Sequence, residues 1–533
     1  MKVEIPREVR EVVRVLARAG FEAYAVGGCV RDLLMGRKPD DWDVTTNAQP
    51  ERIRELFPES FYENKFFTVT VKTGAEDPTL REIEVTTFRA EGKYRDKRHP
   101  EEVRPAKTLA EDLSRRDFTI NAVALQVEGQ TAKDEGAKII DPFSGKNDIA
   151  KKLIRAVGTA EERFEEDALR MLRAVRLAAI LGFAIEPETE AAIQKNAVWI
   201  QAVSKERIRD EFSKIIMSTE TPPRERAKDF SVPTDNPVTE HNISIESLER
   251  IGASNAWIGM ETLHRLGLLK YVVPELEEGI GCTQNKHHVY TVWEHNMRSL
   301  DYAAKNRWPL AVRIGALFHD IAKPRSKVGE GPDSTFYGHD VLGAKLTHQI
   351  LSRLRYPEVF VERVSRLVRW HLFRYDYEVD EVQTTDSSIR RLIRNIGVEN
   401  IEDLVRVRMC DRIGSGVPKA VPYRLRHFQF RVEKVLREHE AVKVTMLQAN
   451  GENVMRILEI PPGPKVGHVL NALLEEVLDD PKKNSREYLE PRIKELGTLS
   501  DEELVALRER AEARVELLED QREQEIKKKY YVK

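Results

Sequence analysis

The chain has 533 residues, which predicts several domains rather than one core. Charged residues make up 33 % of it and the mean hydropathy is −0.49, so we expect a soluble protein with no apolar run long enough to span a membrane. The 86 basic and 89 acidic residues nearly cancel, so the net charge of −3 does not decide whether the chain binds RNA.

The first predicted elements surround a pair of glycines. A helix follows Pro6 and ends at Gly20, and Tyr24-Ala25-Val26 is an apolar strand end. Gly27-Gly28 then allows a tight turn, and Val30 to Met35 predicts a short helix. A helix that begins directly after such a turn points free N–H groups at an anion, and Arg31 adds a charged donor there. The stretch predicts a phosphate site.

The next predicted strand carries two acids. In Asp41-Trp42-Asp43-Val44 the side chains alternate, so Asp41 and Asp43 share one face. Two adjacent carboxylates repel each other unless a cation joins them, and Mg²⁺ favours carboxylate and phosphate oxygens. Asp-x-Asp alone is more often a solvated strand end. A glycine turn beside it makes a metal site the better interpretation.

A third acid is expected from a later strand. After a short helix over Pro50 to Leu56 and a strand over Phe66 to Val71, the segment from Arg81 to Thr87 alternates strictly. Glu82 and Glu84 therefore share one face, and periodicity does not say which of them joins the two aspartates.

Two charged segments follow. The segment 89–107 is charged and punctuated by Gly and Pro, which predicts a loop. In LSRRDFTINAVAL, four polar residues crowd beside the apolar Phe118-Ile120 stretch, and charges this dense beside core residues usually bind something. They are Arg115, Arg116, Asp117 and Asn121.

A long helix is predicted from Glu165 to Leu181. Asp167 and Arg170 are three residues apart, so they would be neighbours on its surface. The ordinary explanation is an intrahelical ion pair.

Histidines and aspartates recur in the second half of the chain. His319 and Asp320 are adjacent on a predicted apolar helix, Ala311 to Ala322, where buried polar groups need partners that a metal would supply. Further candidates are His295, His339, His371 and Asp411. This ligand mixture suits several divalent metals, so the sequence does not name one.

These motifs resemble a known family. GGCVRDLL…DDWDVTT resembles the polymerase-beta-like head of the class II tRNA CCA-adding nucleotidyltransferases and poly(A) polymerases, and RRDFTINA and EDALR are similar to further motifs of that family. The order His…His-Asp…Asp resembles the HD phosphohydrolase superfamily. The resemblance covers most of the chain apart from an insert over Thr219 to Ser244 and the last helix.

The resemblance implies roles for these residues. The catalytic, Mg²⁺-binding acids would be Asp41, Asp43 and, chosen by the match of EVTTFR, Glu84. Nucleotide-binding residues would be Gly27, Gly28, Arg31, Arg115, Arg116, Asp117, Asn121, Asp167, Arg170, Arg173 and Arg176. Asp167 and Arg170 would read the base. A second divalent metal would be held by His295, His319, Asp320 and Asp411, with His339 and His371 at positions that some HD domains also use.

The resemblance also implies the architecture and the reaction. We expect an α+β chain: a mixed-sheet nucleotidyltransferase head over 1–150, then all-helical neck (151–280), HD (285–415) and tail (416–533) domains. The partners would be tRNA, CTP and ATP, and the product would be tRNA extended by C and A. A poly(A) polymerase, an A-adding enzyme and a metal-dependent RNA-end phosphohydrolase are the alternatives.

The cysteines and the N-terminus predict the compartment. Cys29, Cys282 and Cys410 are far apart and odd in number, which argues against a disulfide framework and for a reducing cytoplasm. The N-terminal MKVEIPREVR lacks the apolar region of a secretory signal.

Overall fold

The computed structural model describes residues 4–63, 67–91, 103–127, 137–219, 247–248, 251–285, 289–373, 385–440, 447–479 and 481–532. The chain forms two compact units, one of residues 1–372 and 402–418 and one of residues 373–401 and 419–533. Among the described residues, no helix is long and apolar enough to cross a membrane. Of the predicted insert over Thr219 to Ser244, residues 220–244 lie outside the described part of the chain.

A seven-stranded mixed sheet organises the start of the first unit, in the order β3-β4-β5-β2-β1-β8-β9. The strands are β1 (Ala23–Val26), β2 (Asp43–Thr46), β3 (Ser60–Glu63), β4 (Thr68–Lys72), β5 (Glu82–Thr87), the separate pair β6 (Arg89–Glu91) and β7 (Val103–Pro105), β8 (Ala124–Val127) and β9 (Ala137–Ile140). Strands β2 and β5 run parallel, whereas β1 is antiparallel to both of its neighbours. The mixed sheet confirms the predicted α+β head.

Helices cover the sheet: α1 (Arg7–Arg18), α2 (Gly28–Leu34), α3 (Pro50–Leu56), α4 (Leu109–Ser114) and α5 (Gly145–Lys151). Alternation explains the packing of β5, because Ile83 and Val85 are fully buried in the core that also holds Val9 and Leu16 of α1. The predicted helix over 50–56 and the predicted apolar face of α1 are confirmed.

Two details of the head differ from the prediction. The acidic strand begins at Asp43, not at Asp41, because the chain bends at Asp41; Trp42 is buried and Asp41 exposed. The segment predicted as a loop begins and ends in the paired strands β6 and β7, because their backbones hydrogen-bond to each other, and residues 92–102 lie outside the described part.

In its described residues the neck is helical apart from one short parallel pair, β10 (Leu153–Ile154) with β11 (Ala184–Ile185). Its helices are α6 (Ala160–Glu166), α7 (Leu169–Leu181), α8 (Pro187–Asn196), α9 (Lys205–Met217), α10 (Asn255–Arg265), α11 (Leu269–Val272) and α12 (Pro274–Glu277). The predicted single helix over 165–181 is wrong. Asp167 takes extended backbone angles, φ −144° and ψ 103°, and its carboxylate accepts a hydrogen bond from the backbone N–H of Leu169, which favours starting a new helix there.

The rest of the first unit is an all-helical bundle. The helices that follow in the chain are α13 (Val292–Lys305), α14 (Leu310–Phe318), α15 (Lys323–Ser326), α16 (His339–Arg353), α17 (Glu358–Trp370), α18 (Asp386–Ile396), which belongs to the second unit, and α19 (Ile401–Gly414). The predicted apolar helix is α14, which ends at Phe318, so His319 and Asp320 directly follow its end.

A buried arginine joins the neck to this bundle. Arg313 is fully buried on α14 and donates hydrogen bonds to the carbonyl oxygens of Trp308 (2.9 Å), Ile216 (2.9 Å) and Ala304 (3.4 Å). Burial lowers its pKa to about 10, so it remains charged at neutral pH. The guanidinium therefore donates to carbonyl groups at the ends of α9 and α13, of which that of Ala304 also accepts from the backbone N–H of Arg307.

We expect Arg313→Met to lower the free energy of unfolding of the protein by about 3 kcal/mol, because several buried carbonyl groups lose their donor. Urea unfolding followed by tryptophan fluorescence measures this. The matched control is Arg366→Met, since Arg366 is 46 % exposed and pairs only on the surface with Glu362. Equal stability of the two variants would contradict the prediction.

The second unit is helical, with α18, α20 (Tyr423–Glu440), α21 (Gly451–Leu458), α22 (Pro464–Asp479), α23 (Arg486–Gly497) and α24 (Asp501–Tyr530). Leu473, Leu489 and Ile493 are buried in one of its cores, and Phe430 packs with Ile526 in another. Ser500 and Glu503 form a capping box that begins the 30-residue helix α24. The predicted helical tail is confirmed.

Candidate active site and metal centre

Three carboxylates meet at the edge of the sheet beside the glycine turn. In the parallel pair β2–β5, Asp43 lies directly opposite Glu84, whereas Glu82 lies opposite Lys72 on the other side of β5. Asp41 is close enough to Asp43 to act on its charge. The structure thus brings the two predicted aspartates together with Glu84.

The glycine turn approaches these acids closely. Gly27 has φ +87°, and a Cβ built there would lie 3.2 Å from Asp43 Oδ2 and 3.1 Å from the Arg116 guanidinium. A side chain at this position would be strained and would fill the space between the two charges. Gly28 begins α2, so the predicted order of turn, helix and acidic strand is confirmed.

The acids disturb each other electrostatically. Burial raises the pKa of Asp43, the charges of Asp41 and Glu84 raise it further, and Arg116 only partly opposes them, so this pKa reaches about 6. Carboxylates that repel in a partly buried site are stabilised by a cation. This donor set fits a divalent metal.

A second group of predicted residues forms one hydrogen-bonded chain. Arg31 donates to Asn121 Oδ1 (2.8 Å), and the Asn121 amide donates to Asp117 Oδ1 (3.2 Å). Arg173 Nε donates to Asp117 Oδ2 (2.8 Å). Burial would raise the pKa of Asp117, but Arg173 outweighs it and holds that pKa far below the usual range. This series of hydrogen bonds connects Arg31, just after the glycine turn, to the RRDFTINA segment and to Arg173 on α7.

The sequence interpretation missed Asp112. This fully buried carboxylate accepts from Arg115 Nη2 (2.8 Å), Arg116 Nη2 (3.4 Å) and Thr45 Oγ1 (3.2 Å). It also accepts from the backbone N–H of Arg89. Burial would raise its pKa, but the two guanidinium groups lower it, so the carboxylate stays ionised. Its signal in the sequence was the spacing of three and four residues to the two arginines on one short helix.

The predicted pairing of Asp167 with Arg170 is wrong. Asp167 instead accepts from both Nη atoms of Arg207, at 3.2 and 2.6 Å, and Arg170 Nη1 donates to Glu166 (2.6 Å). Arg170 Nη2 donates to the Arg115 carbonyl (2.9 Å). The helix break at Asp167 turns the two side chains to different partners. Arg176, the last predicted nucleotide-binding residue, pairs with Glu211 on α9 (2.6 Å).

All six predicted ligands in the helical bundle come together in one buried group, which we call the HD cluster: His295, His319, Asp320, His339, His371 and Asp411. Within it, His295, His319, Asp320 and Asp411 offer four ligand atoms that lie within 4.8 Å of one another. Asp320, His339 and His371 form a second such set. Asp320 belongs to both, so the donors suit one or two divalent ions.

Hydrogen bonds orient the rings of the HD cluster. The Nδ1 atoms of His319, His339 and His371 lie 2.6–2.7 Å from the carbonyl oxygens of Ala316, Phe336 and Val368. Their Nε2 atoms therefore face the cluster interior as potential ligands. Among the described residues, buried His339 Nε2 and His371 Nε2 have no hydrogen-bond partner, so both nitrogens are available as metal ligands.

The pKa values of two cluster histidines reflect the charges around them. Burial would lower the pKa of His319, but Asp320 and Asp411 outweigh it and raise that pKa to about 10. Burial and the neighbouring His319 lower the pKa of His371 to about 3, so that imidazole is neutral and ready to ligate. Lys323, which sequence reasoning missed although it lies three residues after Asp320, contacts that aspartate at 2.6 Å.

Family models match three segments of this chain. Residues 23–155 match the poly(A) polymerase head domain. Residues 182–223 match the probable RNA and SrmB-binding site of polymerase A, and residues 288–407 match the HD domain. The chain therefore carries a poly(A) polymerase head domain followed by an RNA-binding segment and an HD domain, as the motifs predicted.

Curated proteins similar to part of this chain are named CCA-adding enzyme. That of Lactobacillus delbrueckii is 44 % identical over 228 residues, which are 43 % of this chain and 54 % of the relative. That of Lactobacillus johnsonii is 49 % identical over 205 residues, 38 % of this chain and 48 % of the relative. The chain thus spans about half the length of the curated relatives that it matches.

Solved structures share the fold along most of the chain. The Bacillus stearothermophilus CCA-adding enzyme in complex with CTP has a TM-score of 0.53 at 25 % identity, covering 92 % of this chain and 98 % of that one. A tRNA-processing enzyme in an apo form has a TM-score of 0.51 at 19 % identity, with 83 % and 94 % coverage, and shows the fold alone.

Proposed function

We propose that this protein transfers CMP and AMP from CTP and ATP to the 3′ end of tRNA without a nucleic-acid template. The observation that carries this is the meeting of Asp43 and Glu84 in the β2–β5 register beside the Gly27 turn. The relatives named CCA-adding enzyme, and the CTP complex of one of them, support this substrate choice over other nucleotidyl transfers.

Asp41, Asp43 and Glu84 would hold Mg²⁺, which supplies charge neutralisation at the triphosphate and lowers the pKa of the attacking hydroxyl. The α2 N–H groups after Gly27-Gly28 would meet the phosphates, together with Arg31 and Arg116. The buried Asp112 positions Arg115 and Arg116 by accepting hydrogen bonds from both. Asn121 accepts from Arg31 and is itself held by Asp117. All of these groups are in position before a nucleotide binds, which reduces the cost of ordering them.

Asp167 and Arg170 would read the incoming base. Cytosine and adenine present an amino group beside an unprotonated ring nitrogen, which match a carboxylate and a guanidinium, whereas uracil and guanine reverse the pattern. The Asp167 carboxylate accepts from two Arg207 nitrogens and from Leu169 N–H, and a carboxylate has about four acceptor sites. One site therefore remains for an amino group of the base, and Arg207 fixes its direction.

We expect Asp167→Ala to reduce the preference for C and A over U and G about 10-fold or more, because an acceptor is lost that clashes with the carbonyls of U and G. Single-nucleotide incorporation of the four NTPs measures it. The control is Asp210→Ala, which removes an exposed acid from α9, the helix that carries Arg207. If Asp167→Ala and Arg170→Ala keep normal selectivity at normal rates, the surface ion pair with Arg207 is the whole role of Asp167.

Product length separates the proposed reaction from the poly(A) and A-adding alternatives. The protein is incubated with tRNAs that end before CCA, after C and after CC, and each receives each NTP alone and both CTP and ATP. CCA addition predicts C on the first two, one A on the third, and termination after A. Long A tails would identify a poly(A) polymerase, and addition of A only would identify an A-adding enzyme.

We also propose that the HD cluster hydrolyses phosphoesters at RNA ends, such as 2′,3′-cyclic phosphates. The six converging ligands and the inward-facing imidazole nitrogens support this second function. One or two divalent ions, which would supply Lewis-acid activation of water, fit the donor set. Assay of the wild-type protein with adenosine 2′,3′-cyclic phosphate across a panel of divalent metals tests it.

The proposed division of labour follows the predicted domains: a head over 1–150, a neck over 151–280, an HD domain over 285–415 and a helical tail over 416–533 that binds the tRNA body by shape and backbone contacts. We propose a cytoplasmic location, supported by three free cysteines.

A further inference from the structure

A cavity of about 580 Å³ opens directly beside the HD cluster, and Asp320, His339 and Asp411 lie in its wall. This volume lies in the range of small-molecule sites. The proposed hydrolysis does not by itself say what the remaining lining residues recognise. Both cationic and apolar side chains are among them.

The cationic lining residues are Lys323, Arg408 and Arg412. Lys323 Nζ lies 2.6 Å from Asp320 Oδ2 and 2.7 Å from Gln284 Oε1, and Arg408 Nη1 lies 2.6 Å from Asp411 Oδ2. These cations adjoin the carboxylates of the cluster. Ammonium and guanidinium groups at a cavity wall favour an anion, and guanidinium groups favour phosphate.

Two lining residues with large apolar surface are exposed and lie next to cluster ligands in the sequence. Tyr337, two residues before His339, is 87 % exposed, and Leu372, directly after His371, is 45 % exposed. Both line the cavity. The segment that carries Tyr337 is held in place, because the Phe336 carbonyl oxygen lies 2.6 Å from His339 Nδ1 and Gly338 takes φ +74° at the start of α16. The backbone between Tyr337 and the cluster ligand His339 is therefore held in place, and the tyrosine side chain is exposed beside it.

We propose that Tyr337 and Leu372 form a base-binding edge of this cavity, so that it takes a nucleotide phosphoester rather than a base-free phosphate. This inference rests on the proposed hydrolytic function of the HD cluster. The phosphate lies toward the cations and the cluster, and the base lies on Tyr337, since aromatic side chains stack on any base. Tyr337 is thus a specificity-determining residue for RNA ends.

The reaction on such a substrate balances with water alone. For a nucleoside 2′,3′-cyclic phosphate, the water oxygen forms a bond to phosphorus and one ester P–O bond breaks. The released ribose oxygen takes one proton, and a phosphate monoester remains on the other hydroxyl. No oxidant, reductant or further co-reactant is consumed.

The kinetic test compares two substrates that differ only in the base: adenosine 2′,3′-cyclic phosphate and methyl riboside 2′,3′-cyclic phosphate. We expect Tyr337→Ala to raise KM about 10-fold for the adenosine substrate, with kcat little changed, and to leave both constants unchanged for the base-free one. Tyr337→Phe should restore the wild-type KM because its ring still stacks. Tyr531→Ala, which removes another tyrosine that is 79 % exposed, serves as the control. Equal effects of Tyr337→Ala on both substrates would overturn the proposal.

A binding test does not depend on hydrolysis. In EDTA, full-length protein is photolabelled with 8-azidoadenosine 2′,3′-cyclic phosphate and the labelled peptides are mapped, which separates the HD cavity from the nucleotide site of the head. We expect a label on the peptide that contains Tyr337, and its loss in Tyr337→Ala. A label confined to the head would overturn the base-binding edge. A label at Tyr337 without hydrolysis by any metal form would retain that edge and reject the proposed HD activity.

Discussion

Replacing Asp43 with alanine is expected to reduce nucleotide addition about 1,000-fold or more while leaving tRNA affinity nearly unchanged. Asp43 faces Glu84 across two strands and adjoins the glycine turn, so its loss removes a ligand of the proposed Mg²⁺ site. A loss of this size corresponds to about 4 kcal/mol of transition-state stabilisation, which is reasonable for a metal that neutralises the triphosphate. Quenched-flow incorporation of CMP and filter binding of tRNA measure the two quantities.

The matched control is Asp40→Ala, because Asp40 is an exposed acid in the same stretch and lies outside the proposed site. It should add nucleotides at the wild-type rate. Retention of addition by purified Asp43→Ala would contradict the metal-ligand role of Asp43, and with it the proposed head mechanism.

The same residue should affect stability in the opposite direction. The folded protein holds the Asp43 pKa near 6, above the ordinary aspartate value, so ionising this group costs stability as pH rises from about 4 to 6, and the whole cost is present above pH 6. We therefore expect Asp43→Asn to stabilise the metal-free protein at pH 8, by at most roughly 3 kcal/mol, and to have little effect at pH 4. Thermal unfolding in EDTA at the two pH values measures this difference, and Mg²⁺ should reduce it.

Replacing Asp320 with alanine is the second large effect. Asp320 contributes an oxygen to both ligand sets of the HD cluster, so its loss should lower hydrolysis of adenosine 2′,3′-cyclic phosphate at least about 100-fold, since even the loss of an outer partner of a metal ligand costs 10–100-fold. Addition of C and A to tRNA should continue, because the head acids lie on or beside strands β2 and β5, whereas Asp320 lies in the helical bundle. Parallel assays of both activities on one preparation measure the separation.

Two further variants make this result interpretable. Asp320→Asn keeps the size of the side chain beside buried Lys323, and it should lose hydrolysis without the packing defect of alanine. Asp333→Ala removes an exposed acid from the same bundle and should behave as wild type. Parallel loss of both activities in Asp320→Asn would mean that the cluster is structural.

Local physics was sufficient for most of the elements. The glycine pair, the acidic strand and the alternating strand carry their structure in neighbouring residues, because backbone freedom and side-chain periodicity act over only a few positions. The pair of aspartates and the glycine turn were therefore predicted from the residues themselves, whereas the ligand set of the HD cluster came from the resemblance to the HD superfamily. The resemblance to a nucleotidyltransferase family added the choice of Glu84, which periodicity left open.

Tertiary structure decided what depends on partners distant in the chain. Glu84 rather than Glu82 meets Asp43 because the parallel register of β2 and β5 sets which residues are opposite, and no local pattern fixes a register between strands 40 residues apart. Asp167 leaves Arg170 because a backbone N–H of the next helix and the distant Arg207 compete for its carboxylate. Asp112 gained its role from burial against Thr45 on β2, and the spacing of residues along one chain segment does not encode which side chains another segment will bring into contact.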